Sequence, residues 1–212
     1  MTFSFPSRVY PILDTGALRL RGLEAESVAR AWLDGGARLL QYRHKSAWRR
    51  ETAEELERIA QLCREFQAQL IVNDRADFAV IAGTGLHVGQ DDLSPSDARR
   101  LIGARLLGLS THTTEQLRMA DAEPADYLAL GPIFSTTSKA NPDSDVGLAN
   151  LAAWRRLTRK PLVAIGGITA ETAPAVLASG ADCVAVIGAL LPESNDLTGI
   201  RARMEEWIKL TK

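Results

Sequence analysis

Along the chain, short runs of Val, Ile, Leu and Ala alternate with longer stretches whose apolar residues recur at helical spacing. Eight runs read as strands: Val9 to Leu13, Arg38 to Tyr42, Leu70 to Asn73, Leu86 to Val88, Leu106 to Leu109, Tyr127 to Leu130, Leu162 to Ile165 and Cys183 to Ile187. Helical period covers Glu24 to Leu33, Arg50 to Gln67, Asp77 to Ala82, Ser96 to Ile102, Thr114 to Ala120, Ala149 to Leu157, Ala170 to Ala178 and Asp196 to Lys209. Apolar strands joined by helices are the pattern of a parallel sheet with crossover connections. Eight such alternations in 212 residues predict an α/β fold, a (β/α)8 barrel forming a single domain over residues 1–212. Spacing alone also admits an open doubly wound sheet. No Pro/Gly/Ser-rich linker and no low-complexity segment divides the chain.

Composition narrows the partners. With 25 Lys+Arg against 26 Asp+Glu the formal charge is −1, which offers no electrostatic case for nucleic acid or an anionic membrane. Any anion site must therefore be local. No apolar run approaches the roughly eighteen residues of a membrane span, and the first residues lack a signal peptide's charged start and long apolar stretch. Cys63 and Cys183 have neither metal-ligand nor disulfide spacing and read as reduced core thiols, which fits a cytoplasmic location. Oligomeric state is not legible in the sequence.

In a barrel, chemistry collects where strands end and lead into helices. Strand two runs into Gln41-Tyr42-Arg43-His44-Lys45, where alternation turns Gln41, Arg43 and Lys45 to one side and Tyr42 and His44 to the other. A solvated Arg and Lys at the rim is the plain alternative. Strand three ends in Asn73-Asp74-Arg75 and strand four in Gly89-Gln90-Asp91-Asp92, where Asn and Asp also serve as turn formers or helix caps. Because these ends are neighbours on one rim, Asp74 and either Asp91 or Asp92 converge beside Arg43 and Lys45. Hard oxygen ligands from two loops suit Mg2+, with substrate phosphate oxygens and water completing its shell. Arg43 and Lys45 would hold the remaining phosphate oxygens, so the ligand suggested is a pyrophosphate ester. Across the rim, Ile165-Gly166-Gly167-Ile168-Thr169 and Val186-Ile187-Gly188-Ala189 follow strands seven and eight, where glycines let backbone amides approach a phosphate.

Taken together, Gln41-Tyr42-Arg43-His44-Lys45, Asn73-Asp74-Arg75, Gly89-Gln90-Asp91-Asp92, Gly108-Leu109-Ser110-Thr111-His112-Thr113, Gly131-Pro132-Ile133-Phe134 with Thr136-Thr137-Ser138-Lys139, and Ile165-Gly166-Gly167-Ile168 resemble the thiamine phosphate synthase family. Each motif is weak alone, and six in this order, from about Val9 to Ala189, are specific. The resemblance implies a (β/α)8 transferase of thiamine biosynthesis. It would join 4-amino-5-hydroxymethyl-2-methylpyrimidine diphosphate to 4-methyl-5-(2-phosphoethyl)thiazole, or its carboxylate form, releasing diphosphate. It further implies that Gln41, Arg43, Lys45 and Asn73 contact the pyrimidine diphosphate, that Ser110 contacts the diphosphate or the pyrimidine, and that Asp74 and Asp92 bind Mg2+. The thiazole phosphate would lie against Gly167, Ile187 and Gly188. The long segment after strand six would act as a lid, Lys139 reaching the diphosphate and Thr136 and Ser138 the thiazole phosphate. Arg43, Lys45, Ser110 and Lys139 would then carry the catalysis. His112 reads as a capping or packing histidine. The sequence departs from the family pattern at Tyr42, His44, Asp91, Ser138 and Gly188 without losing a required charge. Two other readings stay open: a related thiazole tautomerase, which typically lacks the second acid after Gly-Gln, and a barrel that only senses a thiamine precursor.

Overall fold

The computed structural model describes residues 3–136 and 144–212. Eight strands close into a barrel in sequence order, every neighbouring pair parallel and the last strand paired with the first. The strands are β1 Val9–Asp14, β2 Leu39–Arg43, β3 Gln69–Asn73, β4 Gly85–Val88, β5 Leu107–Thr111, β6 Tyr127–Leu130, β7 Leu162–Ile165 and β8 Cys183–Val186. The helices are α1 Thr15–Leu20, α2 Ala25–Asp34, α3 Arg50–Glu65, α4 Ala76–Ala82, α5 Pro95–Ile102, α6 Thr114–Ala122, α7 Gly147–Trp154, α8 Ala173–Ala178 and α9 Leu197–Leu210. All eight expected strands are present, with ends moved by one or two residues, and the open sheet is excluded by closure.

Helix α1 was not legible in the pattern. It is a single short turn and a half that forms because Asp14 Oδ1 accepts from Ala17 N at 2.9 Å, capping it. Helix α8 starts at Ala173, later than the expected Ala170, because Thr172 turns back and its hydroxyl accepts from Thr169 N at 2.9 Å.

Strand alternation sorts the core into two layers. Val9, Leu13, Leu40, Val72, Leu86, Leu107, Leu128, Leu162 and Val184 face outward and pack against helix residues such as Trp32, Leu56, Ile59 and Trp207. Each side chain of this size stabilises by about 1.5–3 kcal/mol when buried. Tyr10, Ile12, Leu39, Ile71, Tyr127, Val163 and Cys183 face inward, so the barrel is filled rather than hollow, and Phe3 and Phe5 close its lower end against Tyr127. Filling stops short of the strands' C-terminal ends, and a cavity opens there.

Candidate active site

That cavity, about 760 Å3, gathers the polar strand ends. On one wall stand Gln41, Arg43 and Lys45 from β2 and the segment after it, Asn73 and Asp74 from the end of β3, and Asp92 from the loop after β4. On the others lie Ser110 of β5, Thr136, Gly167, Ile187 and Gly188. The β2 alternation is as expected: Gln41, Arg43 and Lys45 line the cavity, while Tyr42 packs outward against Trp48 and His44 stacks on Tyr42. Ser138 and Lys139 lie outside the described residues, as does Thr137.

Both cations already have carboxylate partners. Lys45 Nζ is 2.5 Å from Asp74 Oδ2, and Arg43 is paired with Asp14. The second pair comes from register, since Asp14 of β1 lies directly beside Arg43 of β2. Reading the first strand as ending at Leu13 left Asp14 unnoticed; an acid at a barrel strand's C-terminal end was the available signal.

Asp74 adopts a left-handed backbone with φ 64°, a conformation that Asp tolerates better than most residues but that is not free. This bend carries the chain from β3 into α4 and presents the carboxylate to the cavity. Asp92 reaches the same place from the next loop, its Oδ2 accepting from Gly89 N at 2.7 Å. Burial pushes the Asp92 carboxyl above the usual carboxylate range, and the facing charge of Asp74 adds to the rise against the opposing Gly89 N–H and Lys45. Two carboxylates in mutual reach are a place where a hard cation relieves repulsion. Among the described residues no cluster of three or more His, Cys, Asp or Glu forms a ready-made cage, so ligand oxygens and water would have to supply most of its shell.

Asn73 provides an independent sign of a ligand. Its residue is 7% exposed, yet its Nδ2 has no hydrogen-bond partner among the described residues. Buried donors without acceptors are rare, and Asn73 borders the cavity, where an entering ligand would supply the acceptor.

The loops are held firmly where they meet the barrel. Trp48 and Phe78 stack with centroids 4.2 Å apart, and the Arg75 guanidinium sits 4.6 Å from the Phe78 ring and 5.2 Å from Trp48. This cluster ties the segment bearing Lys45 to the turn bearing Asp74. After β6 the chain is anchored by Ile133 N to Ile165 O at 2.8 Å and Phe134 N to Gly166 O at 3.1 Å. It returns through Val146 N to Pro132 O at 2.8 Å. Gly167 is needed there for two reasons: φ is 63°, and a Cβ would lie 2.6 Å from Ser135 O. Gly188 differs, since a Cβ would meet nothing within 4 Å. Its missing side chain leaves open space at the mouth instead of relieving a clash. His112 bonds through Nδ1 to Gly131 O at 2.6 Å and its backbone N–H donates to Gln116 Oε1 at 2.7 Å, in keeping with a packing role, though it also borders the cavity.

Inside the barrel, below Gln41 and Ser110, lies a group that pattern reading missed: Tyr10, Tyr127 and His87 form a buried hydrogen-bonded chain. Their inward direction follows from alternation, but their mutual contact depends on barrel closure.

A closed parallel barrel with paired acids, paired cations and glycine turns around one mouth defines a (β/α)8-barrel protein with a polar candidate active site at the strands' C-terminal ends. A family model described as thiamine monophosphate synthase matches residues 9–190. Over 187 residues the chain is 49% identical to a thiamine-phosphate synthase of Koribacter versatilis, covering 86% of this chain and 84% of that one. It is 40% identical over 206 residues to the thiamine-phosphate synthase of Chloroflexus aurantiacus, covering 97% and 94%. The solved thiamine phosphate pyrophosphorylase of Pyrococcus furiosus superposes with a TM-score of 0.83 at 30% identity, over 96% of this chain and 95% of that one. The chain belongs to the thiamine monophosphate synthase family. No helix among the described residues is long and apolar enough to cross a membrane.

Proposed function

We propose that this chain is a thiamine phosphate synthase. It joins the pyrimidine diphosphate to the thiazole phosphate with loss of diphosphate, within a single barrel domain of the cytoplasm. The observation that carries this reading is the meeting of Asp74 and Asp92, from adjacent strand ends, beside Lys45, Arg43 and an Asn73 Nδ2 that has no partner among the described residues.

Lys45 and Arg43 exchange part of their pairing with Asp74 and Asp14 for the incoming diphosphate, and Asn73 Nδ2 gains its missing acceptor. Asp74 and Asp92 fit Mg2+, which when bound supplies positive charge against the diphosphate as it departs. Among the described residues no side chain is set up as a nucleophile: burial raises both thiols well above their ordinary range, and Ser110 is bonded to His87, whose other ring nitrogen faces Tyr127. The residues therefore assist departure of a leaving group, Arg43, Lys45 and Lys139 stabilising the growing negative charge. The aminopyrimidine left behind delocalises positive charge at its methylene until the thiazole nitrogen captures it. Gly167 and the backbone at Ile187 and Gly188, with Thr136 and Ser138, hold the thiazole by its phosphate on the opposite wall. The segment bearing Lys139 keeps water out during this interval.

The test is release of diphosphate by the purified protein given both substrates, with Mg2+ added or chelated. Release that needs both substrates and stops on chelation is expected. No release under any condition would overturn the reading.

A further inference from the structure

The chain of buried hydrogen bonds across the barrel floor is not used by the reaction as described. Gln41 Nε2 donates to Tyr10 Oη at 3.0 Å, and Tyr10 Oη is 3.0 Å from Tyr127 Oη. Tyr127 Oη is 3.0 Å from His87 Nδ1, and His87 Nε2 is 2.8 Å from Ser110 Oγ. Gln41, Tyr10, His87 and Ser110 border the cavity and Tyr127 does not; Tyr10, Tyr127 and His87 are at most 6% exposed.

Counting protons sets a direction along this chain. An amide nitrogen only donates, so Tyr10 accepts from Gln41 and its single hydroxyl proton goes to Tyr127. The Tyr127 proton then goes to His87 Nδ1. The reverse order would leave a buried hydroxyl proton without an acceptor among these groups, at a cost of order 1–3 kcal/mol. With Nδ1 accepting, a neutral imidazole carries its hydrogen on Nε2 and donates it to Ser110 Oγ. The Ser110 proton is the one left over, free to be donated into the cavity. At the other end, one N–H of Gln41 is committed to Tyr10, so the side chain offers a ligand Oε1 and its second N–H. An aminopyrimidine has the matching pair, an amine N–H donor and ring-nitrogen acceptors.

Packing shows that this arrangement is built in. A Cβ at Gly108 would lie 2.1 Å from Tyr127 Cζ and 2.4 Å from His87 Nδ1, so β5 omits a side chain where the two rings meet. The two rings are inclined by 29° with centroids 5.6 Å apart, and Phe5 packs edge-on against Tyr127 from below.

We infer that His87 is a positioning residue: held as the Nε2–H tautomer by Tyr127, it makes Ser110 a donor toward the bound pyrimidine, while the same chain fixes the orientation of the Gln41 amide. The ligand named here rests on the proposed reaction; the tautomer does not.

Two measurements test this. Long-range 1H–15N spectra of the histidine side chains, recorded without substrate at mildly alkaline pH, should show His87 protonated on Nε2 only, the signal being assigned by its loss in His87→Gln. Steady-state rates should show kcat lowered about tenfold in Tyr127→Phe, which removes one hydroxyl from the middle of the chain and leaves every cavity-lining polar group in place. KM for the thiazole phosphate should not change. His87→Gln supplies an N–H for Ser110 and a carbonyl for Tyr127, so it should recover most of the rate lost in His87→Phe. An Nδ1–H or doubly protonated His87 in the wild type would overturn the inference, as would a wild-type rate in Tyr127→Phe or a His87→Gln rate no better than His87→Phe. A wild type that releases no diphosphate overturns the reaction and the ligand named for Ser110, whereas the substrate-free tautomer reports on His87 alone.

Discussion

Replacing Asn73 by leucine should make the free protein more stable and the enzyme worse. Asn73 ends β3 at 7% exposure with Nδ2 unpartnered among the described residues, so the substrate-free protein bears a desolvated donor costing about 1–3 kcal/mol. Leucine has nearly the same shape and no polar atom. Allowing for imperfect packing, the free variant should gain about 1 kcal/mol, a rise in Tm of about 2–4 °C for a chain of this size. Binding should move the other way. A hydrogen bond from the amide to an anionic diphosphate is worth about 1.5–3 kcal/mol, so losing one of about 2 kcal/mol should weaken the pyrimidine diphosphate about thirtyfold. Melting curves with and without that substrate and Mg2+, followed by circular dichroism, read both effects, since the ligand-induced rise in Tm shrinks as affinity falls. Diphosphate release gives KM separately. A variant that melts several degrees lower with an unchanged KM would refute the argument, because Asn73 would then be satisfied in the free protein and serving the fold.

Other expectations bear on neighbouring parts. Asp74→Gly relieves the left-handed backbone and removes one carboxylate, so it should leave Tm equal or raised by a few degrees while diphosphate release falls by orders of magnitude. Lys139→Ala, outside the described residues, should lower kcat by orders of magnitude with an unchanged circular dichroism spectrum; a near-normal rate would remove Lys139 from the mechanism. Burial pushes the Cys63 thiol from an ordinary 9.0 up to about 12, so the folded protein holds a proton that the unfolded chain loses in that interval. The corresponding stability is complete below pH 9 and declines as pH rises toward 12, visible as a falling urea midpoint whose slope Cys63→Ala reduces, with Cys183 and the buried tyrosines supplying the remainder. Native protein should also resist iodoacetamide until it unfolds, and rapid labelling of the folded state would contradict the burial.

Much of this protein was determined by local chemistry that sequence carries openly. Apolar runs of four to six residues mark the strands, because a strand covered on both faces needs apolar side chains throughout. The period-two alternation of β2 by itself places Gln41, Arg43 and Lys45 on one side, the cavity side, since direction along a strand is a property of the backbone. The convergence of Asp74 and Asp92 was also legible, because consecutive strands of a barrel are neighbours on its rim.

Tertiary structure decided what depends on register and closure. Asp14 meets Arg43 only because β1 and β2 align at those positions, a shift that no run of residues within either strand specifies. Tyr10 and Tyr127 are 117 positions apart and touch only when the sheet curls until its inner faces meet. Gly108 reads in sequence as a weak point in a strand; in the barrel it is the space that admits Tyr127 and His87. Spacing and alternation are consequences of the bonds along one chain, whereas the Gln41-to-Ser110 network exists between side chains brought together by the packing of all eight strands at once.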